Sequence, residues 1–89
     1  MRRAVVSVVG KDQVGIIAKV TTVLSENEIN ILDISQTILQ DFFTMMMIVD
    51  VTGTDNLDRL QDQLGKIGDE LSLKINIQLE EIFKAMHRV

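Results

Sequence analysis

The sequence predicts a small α+β domain whose elements run β-α-β-β-α-β, with a short extra helix at the end. Three observations predict it. Two apolar stripes recur at helical spacing: Ile16, Ile17, Val20, Val23 and Leu24, then Leu57, Leu60, Leu64, Ile67 and Leu71. Two stretches, residues 30–39 and 73–79, alternate apolar and polar residues with the period of a half-buried strand. Polar segments carrying Gly, Asn or Asp separate these runs. The chain has 89 residues, 46% of them apolar, enough for one domain with one thin core.

Residues 3–9 are rich in Val and form the first strand, since β-branched side chains fit a pleated surface. The loop Gly10-Lys11-Asp12-Gln13-Val14-Gly15 leads into the first helix, which ends near Asn27. Asp12 is placed to cap that helix by accepting from the amide of Val14 or Gly15. The second strand spans residues 30–39, with Leu32, Ile34 and Ile38 on one face and Asp33, Ser35 and Thr37 on the other. Gln40-Asp41 makes a hairpin turn into a third strand over residues 42–51. That strand is apolar on both faces, which predicts a central strand covered on both sides. Thr52-Gly53-Thr54-Asp55-Asn56 is a turn leading to a helix cap. In the second helix, Gly65 predicts close packing against a neighbour and Gly68 predicts the helix end. Leu73, Ile75, Ile77 and Leu79 mark the fourth strand, and Ile82, Phe83, Met86 and Val89 give the tail helix an apolar face. The order is that of the ferredoxin-like split β-α-β sandwich, an antiparallel sheet with two helices on one face and the second strand at an edge. Residues 1–79 make that domain and residues 80–89 a helical extension.

Composition excludes several functions. Nine Lys and Arg stand against 13 Asp and Glu, a net charge of -4, which disfavours nucleic acid. The sheet also lacks the stacking aromatics of an RNA-binding version. There is no Cys, so neither disulfides nor thiolate chemistry is available. No stretch is long enough to cross a bilayer, and the basic N-terminus lacks the apolar length and cleavage pattern of a signal peptide. A cytoplasmic protein without membrane contact is expected. His87 has no nucleophile or fixed carboxylate beside it, so no catalytic set can be assembled. Met45, Met46 and Met47 alternate between faces and cannot converge on a metal. No enzyme, metal or cofactor is expected.

The loop before the first helix carries the one candidate site. A helix start leaves amides unpaired and favours anions, and Gly15 lets a ligand approach the backbone. A tight strand-to-helix turn explains the same residues without a ligand. It is not a P-loop, which ends in Gly-Lys-Ser/Thr.

The stretch Gly10-Lys11-Asp12-Gln13-Val14-Gly15-Ile16, with Asn30-Ile31 opening the second strand, resembles the ACT domain over about the first four-fifths of the chain. Asp33-Ile34-Ser35-Gln36-Thr37 and Phe43-Thr44-Met45-Met46 are similar to a small stand-alone ACT family of bacteria and archaea. That group is in turn similar to the ACT modules of the glycine cleavage system transcriptional repressor. The resemblance implies a regulatory module that binds a small ligand, usually an amino acid, where two copies meet edge to edge through their second strands. It assigns Asp12, Gln13, Val14 and Gly15 to the loop side of the site, and Asn30 with Ile31 to the strand side. Asp12 is then either a cap or the partner of the ligand ammonium. A homodimer is expected, with an amino-acid effector and an unidentified protein partner. The alternative is a dimerising interaction module of the same fold that binds no small ligand.

Overall fold

The structure is a computed structural model that describes residues 2–53 and 57–86, apart from the side chains of Phe83 and Met86. Its elements are β1 (Arg3–Lys11), α1 (Ile16–Glu26), β2 (Asn30–Leu39), β3 (Phe42–Asp50), α2 (Leu57–Leu71), β4 (Leu73–Leu79) and α3 (Glu80–Met86). The strands form one antiparallel sheet in the order β2-β3-β1-β4, the ferredoxin-like arrangement. The predicted cap at 54–56, His87 and Val89 lie outside the described residues, as do the Phe83 and Met86 side chains on the tail's expected apolar face.

The core lies between one face of the sheet and the two long helices. Ala4, Val6 and Val8 of β1 and Met45, Met47 and Val49 of β3 are fully buried there, beneath Val20 and Leu24 of α1 and Leu60 and Leu64 of α2. Burying each such Val, Leu or Met side chain stabilises the fold by about 1.5–3 kcal/mol. Met46, between two buried methionines, points to the opposite face and is 38% exposed. Phe42 on that face is exposed as well. The expectation that β3 is covered on both sides is therefore corrected: the two long helices cover one side, and Phe42 and Met46 on the other stay exposed.

Two glycine expectations are reversed. A Cβ on Gly65 would meet nothing within 4 Å, so no close neighbour explains it. Gly68 does not end the helix, which continues to Leu71. Its Cβ would lie 2.7 Å from the backbone oxygen of Leu73, so the close approach of α2 to β4 depends on Gly68. The chain then reverses through Ser72, at φ 58, directly into β4.

β2 also departs from simple alternation. Its pairing with β3 shifts at a bulge between Ile31 and Asp33. Ile31, rather than Leu32, opposes buried Val49, and Ile34, Gln36 and Ile38 continue that helix-side face. One extra residue in the strand swaps the facing of everything before it.

The two sheet edges differ. Along β4, the Gln61 side chain of α2 accepts from the amide of Ile77 at 3.0 Å and donates to the carbonyl of Ile75 at 3.4 Å. Along β2, nearly every residue is exposed, including Leu32, Ile34, Ile38 and Leu39. Asp33 attends that strand's backbone from its side chain, accepting from the amide of Ile34 at 2.9 Å. α3 turns back at once from β4 and packs against β4 and β1 of the same chain. Arg3 fastens it, donating from Nη2 to Oε1 of Glu80 at 2.8 Å.

Candidate functional site

The loop between β1 and α1 is anchored where it leaves β1, by two adjacent residues. The amide of Asp12 donates to the carbonyl of Asp41 in the β2–β3 turn at 2.7 Å. The Gln13 side chain donates from Nε2 to the carbonyl of Leu71 at the end of α2 at 2.7 Å. Beyond these anchors the chain enters α1 through Gly15, the residue preceding the helix, at φ 93 and ψ −1. Such a left-handed conformation is open to Gly and strained for most other residues.

The expected cap is absent. No side chain caps α1, and the Asp12 carboxylate has no hydrogen bond or ion pair among the described residues. The reason is geometric. Gly15, in its left-handed turn, occupies the position before the helix from which a side chain would cap, and Asp12 lies three residues ahead of it. Those amides, on Ile16, Ile17 and Ala18, have no acceptor within the helix, and the helix dipole adds partial positive charge.

The start of α1 opens on a cleft of about 240 Å³. Asp12, Gln13 and Gly15 lie on its loop side with the first residues of α1. Gln36 and Ile38 of β2 and Phe43 of β3 form its other wall. Of the residues expected at the site, Asp12, Gln13 and Gly15 thus come together. Val14 does not join them: it stands at the loop tip, 100% exposed. Gln13 is engaged in anchoring the loop.

Asn30 and Ile31 lie elsewhere in the same chain. They line a second cleft, of about 510 Å³, with Thr21, Ser25 and Glu28 at the other end of α1. Gln36 stands six positions along the strand from Asn30, a span of about 20 Å. A single chain does not bring them to the loop.

Gln36 and Ile38 were not among the expected site residues. A signal for Gln36 was present, since it is the polar exception in the series Leu32, Ile34, Gln36, Ile38. Nothing in a strand's own pattern says that this face reaches beyond the helices to the loop.

Comparisons with known proteins agree on one family. A family model described as ACT domain matches residues 2–78. A UPF0237 protein of Methanococcus maripaludis is 49% identical over 90 residues, covering 100% of both chains. Among solved structures, an ACT domain protein from Streptococcus pneumoniae superposes with TM-score 0.81 at 42% identity, over 97% of this chain and 98% of that one. A protein assigned as a glycine cleavage system transcriptional repressor matches 88% of this chain with 45% of its own, at TM-score 0.77 and 23% identity, a likeness of fold.

Proposed function

The chain belongs to the ACT domain family, and from that premise we propose that it is a non-enzymatic regulatory module that binds a small amino acid as a homodimer. ACT domains are commonly regulatory amino-acid-binding modules. The observation that carries the reading is the uncapped start of α1 facing a cleft beside the unpartnered Asp12 carboxylate. Those two features match the two ends of a zwitterion. The ligand carboxylate takes the free amides of the first turn, close to Gly15, and its ammonium takes Asp12. Gln13 contributes by fixing the loop.

The dimer follows from β2. Two copies joining through this exposed edge would run their β2 strands antiparallel about a twofold axis near the strand's middle. Asn30 and Ile31 of a second copy then arrive beside Leu39, at the mouth of the cleft. The signal passes to a further protein in the cytoplasm.

A thermal-shift screen of the twenty amino acids tests the reading. Ligand at a hundred times its dissociation constant should stabilise the folded state by ~2.7 kcal/mol. A flat response across the panel favours the alternative, an interaction module that uses the same open edge without a ligand.

A further inference from the structure

On its helix-side face β2 presents Ile34, Gln36 and Ile38 in turn, opposite Met47, Met45 and Phe43 of β3. Those three partners are buried, so the face is apolar except at Gln36. The Gln36 carboxamide has no hydrogen-bond partner among the described residues. It stands on the cleft wall across from the loop that carries Asp12 and Gly15.

We propose that Gln36 is the specificity-determining residue of this cleft, and that its ligand is a neutral α-amino acid whose side chain carries a hydroxyl or a carboxamide. The inference rests on the ligand-binding reading above and goes on to name the ligand's chemistry. Asp12 is the one ionisable group among the described residues of the cleft wall, and the ligand ammonium occupies it. No further charge remains to meet a charged side chain, and desolvating one without a partner is unfavourable. Around Gln36 the wall is hydrocarbon, contributed by Ile17 and Ile38. A carboxamide both donates and accepts. A hydroxyl or amide on the ligand satisfies it, whereas a hydrocarbon side chain covers it and leaves its hydrogen bonds unmade.

The test is calorimetric titration of the full chain with pairs of near-isosteres, L-threonine against L-valine and L-asparagine against L-leucine, alongside L-glutamate and L-lysine. The polar member of at least one pair should bind about tenfold more tightly than its apolar counterpart, the worth of one hydrogen bond. In Gln36→Leu that ratio should fall to about one while the apolar member still binds. Gln36→Ala removes the carboxamide without adding apolar surface to an exposed strand, and it gives the same reading should Gln36→Leu aggregate. Gln36→Glu should admit L-lysine. A best ligand that is charged or purely apolar overturns the proposal, as does a polar preference that both variants retain. If no amino acid binds the wild-type chain, the ligand-binding reading itself fails, and this inference with it.

Discussion

At the scale of single residues, three glycines stand in three different situations. Gly68 is needed because α2 and β4 approach too closely for a Cβ, which would press on the Leu73 carbonyl at 2.7 Å. Gly65 has open space around the same position. Gly65→Ala should therefore stabilise the protein by ~1 kcal/mol through helix propensity. Gly68→Ala should destabilise it, because backbone must move. Urea unfolding of both variants measures the difference, and equal shifts would contradict the packing. Gly15 is needed for its backbone angle alone, at φ 93 with nothing near its Cβ position. A side chain there costs about 1–2 kcal/mol, less for Asn or Asp, which tolerate the left-handed region. Gly15→Asp should abolish amino-acid binding by placing a carboxylate among the first-turn amides. Gly15→Asn has nearly the same shape without the charge, and it should retain part of the binding at similar stability. Titration of both variants with the ligand found by screening separates charge from strain. A Gly15→Asp protein that binds like wild type would remove the loop from the site.

At the scale of elements, α3 is fixed to the sheet by an ion pair whose strength depends on pH. Arg3 donates to Glu80 and holds its carboxyl below the usual glutamate range, with Lys84 adding a weaker attraction. A carboxyl whose pKa is lower folded than unfolded stabilises the fold in its ionised form. That contribution is full above the ordinary glutamate pKa of about 4.3. It is lost as the pH falls through the lower folded value. Arg3→Ala should thus lower the melting temperature more near neutral pH than in acid, where Glu80 is protonated in both proteins. An equal loss at both pH values would show that Arg3 acts through packing. The elements themselves were largely readable, as β2 and β4 have their expected limits. β1 runs two residues past its expected end, since Gly10 and Lys11 still pair with Phe43 and Phe42. The bulge in β2 was not readable, because it depends on register against β3 and not on the strand's own alternation.

At the scale of the whole molecule, the difference between the two edges directs assembly. Gln61 occupies backbone groups along β4, while β2 is long and uncovered, with Leu32, Ile34, Ile38 and Leu39 exposed along it, the condition that favours edge pairing. Ile34 lies near the middle of β2 and is 45% exposed, so Ile34→Lys should leave the monomer folded. In a dimer joined through β2 it brings two positive charges together across the twofold axis, and dissociation should follow. Light scattering coupled to size-exclusion chromatography reads the outcome. A wild-type monomer at micromolar concentration would exclude a shared site. Because a shared site is complete only in the dimer, saturating amino acid should also lower the dimer dissociation constant, by linkage.

Local pattern was enough for the order, type and approximate limits of the elements, and with them the ferredoxin-like fold. Apolar periodicity is a property of neighbouring residues, and in a domain this small few topologies can bury two such helices on one antiparallel sheet. The helix start with Gly15 was legible as a candidate anion seat on the same local grounds, whereas Asp12 read locally as a cap and joined the site only through the family resemblance. Their roles depended on tertiary structure. Whether Asp12 caps a helix or faces a cleft is decided by the left-handed turn at Gly15. Whether Gln36 belongs to an apolar face or to the site is decided by β2 crossing in front of the α1 start. Which of Gly65 and Gly68 is indispensable is decided by where β4 passes. Each of these depends on a distance between elements far apart in the chain, and no residue's neighbours in sequence encode it.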